Sequence, residues 1–230
     1  MSPSFRPKAV VFDLDGTLVD SLPLVLRAIG HALEPFGPRP TKEIFARLGG
    51  PPARFLATLL DDVRNVPTAL RRMDEYHREN AHLIRPFAGV DRLLGRLQSN
   101  NVHLGIWTGR DRESTDELLR THQLERFFDA VMCGDDLPSH KPDPAGLREI
   151  IRRLDVRPDE TLFVGDADVD VLGGVAAGVG TVLIEHDRVV DPEIRAQSWQ
   201  TVDSPEAAFA MLLQWVVAQP TGARPPVHKH

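Results

Sequence analysis

Four apolar residues in a row, Ala9-Val10-Val11-Phe12, run directly into Asp13, Leu14, Asp15 and Gly16. An unbroken apolar, β-branched run of this length predicts a strand buried on both faces. After Thr17 the period changes, and Leu22, Val25, Leu26, Ile29, Leu33 and Phe36 fall on one helical face. Three more amphipathic stretches follow. Ile44, Phe45 and Leu48 mark a short one, Phe55, Leu56, Leu59, Leu60 and Val63 the next, and Leu70, Met73, His77, Ala81 and Ile84 a longer third. No strand-like run occurs between Val19 and Ile84, so residues 19–85 are expected to form a small all-helical domain inserted into a larger one.

From Pro86 the pattern alternates. A helix carrying Val90, Leu93, Leu94 and Leu97 leads to a strand, Val102 to Trp107, which ends in Thr108-Gly109-Arg110. A helix opening at Asp111 precedes a short strand, Ala130 to Cys133, and the loop Ser139 to Pro144 precedes a helix with Leu147, Ile150, Ile151 and Leu154. Thr161 to Val164 reads as a strand ending in Gly165-Asp166, a helix from about Asp168 follows, and Thr181 to Ile184 is the next strand. Strands alternating with helices at this spacing predict an α/β fold, a parallel sheet with helices on both faces. Pro205 to Val217 reads as a closing helix. The expected division is therefore 1–18 with 86–218 as the α/β core, 19–85 as the helical insert, and 219–230 as a disordered, Pro-rich tail.

Composition narrows the class. A chain of 230 residues with 42% hydrophobic and 26% charged residues is that of an ordinary soluble protein able to bury a core. The net charge of −6, without a local basic cluster, argues against nucleic acid as a partner. A single cysteine, Cys133, leaves no intrachain disulfide or Cys-based zinc site and fits a reducing compartment. Residues 1–7 lack the apolar core of a signal peptide. The most apolar stretch, Val171 to Ile184, is interrupted by glycines, so no membrane span is expected. The expectation is a soluble cytoplasmic protein with no membrane partner, compatible with a monomer or a homodimer.

Candidate chemistry clusters at strand ends. Residues i and i+2 of an extended chain point the same way, so Asp13 and Asp15 can converge on one ligand, although Asp-Gly is also a good turn dipeptide. In an open α/β sheet, ligands bind outside the carboxyl ends of the strands. Asp13 and Asp15, Thr108-Gly109, Lys141, and Asp166 with Asp170 all fall at or near such ends. Their sum describes a magnesium phosphate site. Hard carboxylate oxygens suit Mg²⁺, Thr108 and the backbone N–H groups of a following helix start can cradle phosphate oxygens, and Lys141 supplies a compact positive charge.

This constellation resembles the haloacid dehalogenase superfamily. Asp13-Leu14-Asp15-Gly16-Thr17-Leu18 is similar to its first motif and Thr108-Gly109 to its second. Lys141-Pro142-Asp143-Pro144 is similar to the third, and Gly165-Asp166-Ala167-Asp168-Val169-Asp170 to the fourth, all in family order. The helical insert resembles the family's cap, and the core its Rossmann-like domain. With Asp15 two residues after the nucleophile, the resemblance implies phosphoryl transfer rather than carbon–halogen hydrolysis. It implies Asp13 as nucleophile, Asp15 as acid/base, and Mg²⁺ held by Asp13, the backbone carbonyl of Asp15, and Asp166. Thr108, Gly109 and Lys141 would hold the phosphoryl group, and Asp170 would support the site from outside the metal's direct ligands. The implied activity is a phosphoglycolate phosphatase-like hydrolysis of a small phosphorylated metabolite. Alternatives are a phosphosugar mutase resembling β-phosphoglucomutase, a pyrophosphatase, or a non-enzymatic phospho-acceptor switch. Mutases of this family tend to carry an acid immediately before the fourth-motif Asp, where this chain has Gly165.

Plainer readings compete at several positions. Thr108 is also a good helix cap, Asp168 a good first-turn acid, and Asp135-Asp136 a simple turn. Arg110 is expected to anchor its own helix and stays outside the site. His31, His77, His82, His103, His122 and His140 lack metal-ligand spacing. Gly173, Gly174, Gly178 and Gly180 are expected to serve close helix packing and a turn, and Arg47 and Arg54 are candidate substrate contacts on the insert.

Overall fold

The computed structural model describes residues 7–37, 52–186, 188 and 190–217. These fall into two compact units, divided between Val19 and Asp20 and again between Arg85 and Pro86. The first unit is built on β1 (Ala9–Phe12), all four of whose residues are fully buried, as a continuous apolar run requires. Two short strands, β2 (Val19–Asp20) and β3 (Arg85–Pro86), pair with each other where the chain leaves this unit and returns. The main sheet adds β4 (His103–Trp107), β5 (Ala130–Met132), β6 (Thr161–Gly165), β7 (Gly180–Ile184) and β8 (Gln200–Val202). Their order is β5-β4-β1-β6-β7-β8, and every neighbouring pair is parallel.

That order makes β1 the place where the winding reverses: the chain adds β4 and β5 on one side and β6, β7 and β8 on the other. A crevice at the carboxyl end of such a switch strand is the expected ligand site. Helices connect the strands at Val90–Ser99, Arg112–Thr121, Ala145–Arg153, Asp168–Ala177 and Pro192–Gln197, and another, Pro205–Val217, follows β8. A core of Ala9, Val11, Trp107, Ala130, Met132, Leu147, Ile150 and Phe163 joins the sheet to the Ala145–Arg153 helix. Fully burying each of the larger side chains there stabilises the unit by about 1.5–3 kcal/mol.

Glycines set how close the Asp168–Ala177 helix comes. A Cβ on Gly173 would lie 2.6 Å from the Trp107 ring and one on Gly174 would lie 1.9 Å from Thr181 Oγ1. The expectation of close helix packing is met there.

Among the described residues, the second unit packs three helices, at Leu22–Leu33, Pro52–Leu59 and Val66–Asn80, around Ile29, Ala32, Leu33, Leu56, Leu60 and Ala69. The third ends at Asn80, whose amide donates to the Tyr76 carbonyl at 2.8 Å, and a 3₁₀ turn at Ala81–Leu83 follows. The apolar period that ran on to Ile84 therefore overshot the helix, because Ile84 is buried without belonging to it. Val63, expected on the apolar face, is exposed and sits in another 3₁₀ turn.

The sequence pattern also predicted nothing between Ile184 and Pro205, where a six-residue helix and β8 stand. Three residues beginning Gln200-Thr201 carry no readable period, and neighbouring β7 imposes the strand by parallel pairing. The expected stretch at Ile44, Phe45 and Leu48, the Arg47 and Arg54 side chains, and the tail at 219–230 lie outside the described residues. Among the described residues, no helix is long and apolar enough to cross a membrane.

Candidate active site

Register brings the motifs together. Phe12 pairs with Ile106 on one side and Val164 on the other, so the residues that follow all three emerge at one rim. The Asp13 N–H donates to Val164 O at 2.8 Å, which ties the first acid to the strand that carries Asp166. Gly16 then turns the chain with φ +76°, a left-handed conformation that glycine adopts without strain. A Cβ there would lie 2.2 Å from Asp166 Oδ2, so a larger residue would push the Asp166 carboxylate away.

At the centre, the Lys141 ammonium donates to Asp13 Oδ1 at 2.6 Å and to Asp170 Oδ1 at 2.7 Å. All three side chains are nearly or fully buried, with 9%, 10% and 1% exposure. The ammonium also lies 5.0 Å from the Trp107 ring centroid and 5.2 Å from that of Phe163, within reach of the negative ring faces. Burial works against the lysine's charge, but the carboxylates of Asp13 and Asp170 outweigh it and hold its pKa above the ordinary value.

Asp13 experiences the reverse balance. Burial is the largest effect and outweighs the attraction of Lys141; with the nearby charge of Asp170 it pushes the Asp13 carboxyl up to about 7. Burial, then the charges of Asp13 and Asp170, raise Asp166 as well.

Asp13, Asp166 and Asp170 each offer an oxygen, and these oxygens lie within 4.8 Å of one another. A buried carboxyl, Asp13, and a half-buried one, Asp166, both with raised pKa values and beside a third acid, are short of positive charge, and a hard divalent cation fits both the donor chemistry and the deficit. Both oxygens of Asp170 already have partners: Oδ1 accepts from Lys141 and Oδ2 accepts from the Ala167 N–H at 3.0 Å. Asp170 thus holds the lysine and the start of its own helix.

The Thr108 side chain is buried, and its Oγ1 accepts from the Arg110 N–H at 3.1 Å. It does not cap the next helix; Asp111 does, accepting from the Ser114 N–H at 2.9 Å. A Cβ on Gly109 would meet nothing within 4 Å, so the backbone after Thr108 has open space around it. Asp135 and Asp136 are structural, accepting from the Arg112 and Cys133 N–H groups respectively.

Asp15 has a cation of its own. Its two oxygens accept from Arg110 Nε at 3.0 Å and Nη2 at 2.5 Å. Sequence reasoning placed Arg110 on its own helix; the structure places its guanidinium on the second acid instead. Two further residues went unseen. His186 Nε2 lies 2.8 Å from the Gly16 carbonyl and 3.8 Å from Asp166 Oδ2. Arg188 donates to Asp168 Oδ1 at 2.7 Å and to the Asp166 carbonyl at 2.8 Å, so Asp168 is both a first-turn acid and an ion-pair partner. Both lie in the loop after β7, and only its position at the end of a parallel strand could have flagged them. A separate cleft of about 520 Å³ beside β5, lined in part by Arg112, Asp136, Glu149 and Arg153, includes none of Asp13, Asp15, Asp166 and Asp170 in its lining.

The haloacid dehalogenase-like hydrolase family model matches residues 10–184. The chain is 34% identical over 183 residues to phosphoglycolate phosphatase 1 of Pseudomonas aeruginosa, covering 75% of this chain and 67% of that protein. It is 31% identical over 178 residues to pyrophosphatase PpaX of Halalkalibacterium halodurans, covering 77% and 83% respectively. A solved HAD-superfamily hydrolase of subfamily IA from Geobacter sulfurreducens superposes with a TM-score of 0.69 at 26% identity, over 92% of this chain and 100% of that one.

Proposed function

Because this chain belongs to the haloacid dehalogenase-like hydrolase family and is a phosphatase, we propose that it hydrolyses a small-metabolite phosphomonoester with Mg²⁺ through an aspartyl-phosphate. The observation that carries this reading is the rim at β1 and β6, where Asp13, Asp166, Asp170 and Lys141 converge with Asp15 alongside.

In this reading an Asp13 carboxylate oxygen attacks phosphorus in line, and the bond from phosphorus to the ester oxygen breaks. Asp15 gives its proton to the departing oxygen. It then takes a proton from the water that attacks the aspartyl-phosphate, freeing Asp13 and inorganic phosphate. Lys141 keeps Asp13 aimed, and with Thr108 and Gly109 it balances the charge of the phosphoryl oxygens. Asp170 holds Lys141 in place. Asp13, the Asp15 carbonyl and Asp166 would hold Mg²⁺, which when bound offsets the charge shared by phosphoryl group and carboxylates. The insert at 19–85 is assigned the part of a cap that selects the ester, and the setting is assigned to the cytoplasm.

Pyrophosphate hydrolysis is the second reading, supported by the similarity to pyrophosphatase PpaX. Mutase chemistry is disfavoured at residue 165. A Cβ on Gly165 would lie 2.4 Å from Asp170 Oδ2, so an acidic side chain would collide with the carboxylate that holds Lys141. Phosphate release from a panel of small phosphate esters and pyrophosphate, with and without Mg²⁺, tests the assignment. Release from esters that stops on chelation is expected; undiminished release in D13N would overturn it.

A further inference from the structure

Asp15 and Arg110 are 95 residues apart in the chain, yet the arginine grips both carboxylate oxygens of the acid through Nε and Nη2. The Arg110 side chain is 8% exposed and the Asp15 side chain 35%. Taking an arginine out of water is costly, and a buried ion pair is weak grounds for stability by itself. Its pKa nonetheless stays above the ordinary value, because Asp15 outweighs the opposing effect of burial.

The main chain of Arg110 does the work of holding its loop: its N–H donates to Thr108 Oγ1 and its carbonyl accepts from the Gly134 N–H at 2.8 Å. Among the described residues, the hydrogen bonds of the guanidinium go to Asp15. A loop anchored through its backbone does not need that side chain, so its cost calls for another use.

We infer that Arg110 is the positioning residue of Asp15: its planar fork fixes the direction in which the acid/base carboxylate faces the departing ester oxygen. This rests on the proposed phosphomonoesterase reading. Two parallel N–H···O bonds fix rotation as well as place, which one point charge cannot do. The same residue joins the first motif to the second, since the Arg110 backbone N–H donates to Thr108 Oγ1 while its fork holds Asp15. Arg110 acts on the reaction only through Asp15, so its loss falls on the step that needs a well-aimed proton.

Leaving-group dependence tests this. p-Nitrophenyl phosphate departs as a stabilised phenolate and needs little proton donation, whereas an alkyl phosphate depends on it. In R110Q, kcat for the alkyl ester is expected to fall by about 100-fold, the scale of general acid–base catalysis. The aryl ester falls far less, while KM and the calorimetric Mg²⁺ affinity stay unchanged. R110K keeps the charge without the fork and is expected to show the same selectivity in weaker form, which covers the case in which R110Q does not fold. Equal losses with both esters, a raised KM for both, or an R110K enzyme indistinguishable from wild type would each overturn the assignment. A wild-type enzyme that releases phosphate from neither ester removes the phosphomonoesterase reading itself, and this inference with it.

Discussion

The helical unit and the rim of the parallel sheet use burial in opposite ways. In the helical unit, what is hidden is apolar: Ile29, Leu33, Leu56 and Ala69 form the interior, and ion pairs such as Arg64 with Asp62 lie at the surface. At the rim, what is hidden is charged: Asp13, Asp170 and Lys141 are buried together. Apolar burial stabilises without further explanation, whereas buried charges cost desolvation that their mutual attraction only partly offsets. A fold therefore reveals its chemistry where burial has the wrong polarity.

Removing one charge at the rim is expected to give the largest effect. D13N keeps the shape of the side chain but not its nucleophilic charge, and kcat should fall by roughly 10⁴-fold or more. Circular dichroism should show a folded chain, which separates loss of chemistry from loss of structure. The matching change in the helical unit, Leu56→Ala, should cost about 2–5 kcal/mol in chemical denaturation through the cavity it leaves. Turnover per folded molecule should change much less than in D13N, and a loss rivalling D13N would break the contrast.

The pH dependence of the metal-free protein sharpens the comparison further. The Asp13 pKa rises from 3.8 to about 7, chiefly through burial, so between those values the native state binds more protons at this group than the unfolded chain. Stability from this group is present below 3.8 and is lost as pH rises toward 7. Asp166 shifts in the same direction. Mg²⁺ should therefore raise the melting midpoint more at pH 8 than at pH 5, read by thermal unfolding with and without chelator. An equal or reversed response would show that the acids are not short of positive charge. The smallest effect belongs to Arg64→Ala, which removes a surface ion pair with Asp62 but keeps the Asp62 cap on the backbone N–H of residue 64, and should leave the melting midpoint unchanged.

Local signals carried much of this architecture into the sequence. The run Ala9–Phe12 and the alternation after Pro86 bury one kind of surface each, and the Leu22–Leu33 helix buries Ile29 and Leu33 as its period predicts but leaves Leu22, at its first turn, exposed. The acids and Lys141 were legible because they interrupt apolar runs where strands end. Strand β8 was not, since three residues with polar members are held by the neighbouring β7 rather than by their own pattern. Arg110 looked like a helix-start residue because a guanidinium four bonds from its backbone leaves no periodic trace of where it reaches.

The sequence by itself determined most of the strands and helices, β8 and the Pro192–Gln197 helix excepted, and which polar groups end at the sheet's carboxyl rim, because these follow from residue spacing along the chain. Only the tertiary structure decided who meets whom. Lys141 joins Asp13 across 128 residues, Arg110 takes Asp15 across 95, and His186 reaches Gly16 across 170. Those meetings depend on parallel register and on a left-handed turn at Gly16. No local pattern specifies side-chain contacts between strands that are neighbours in space and distant in sequence.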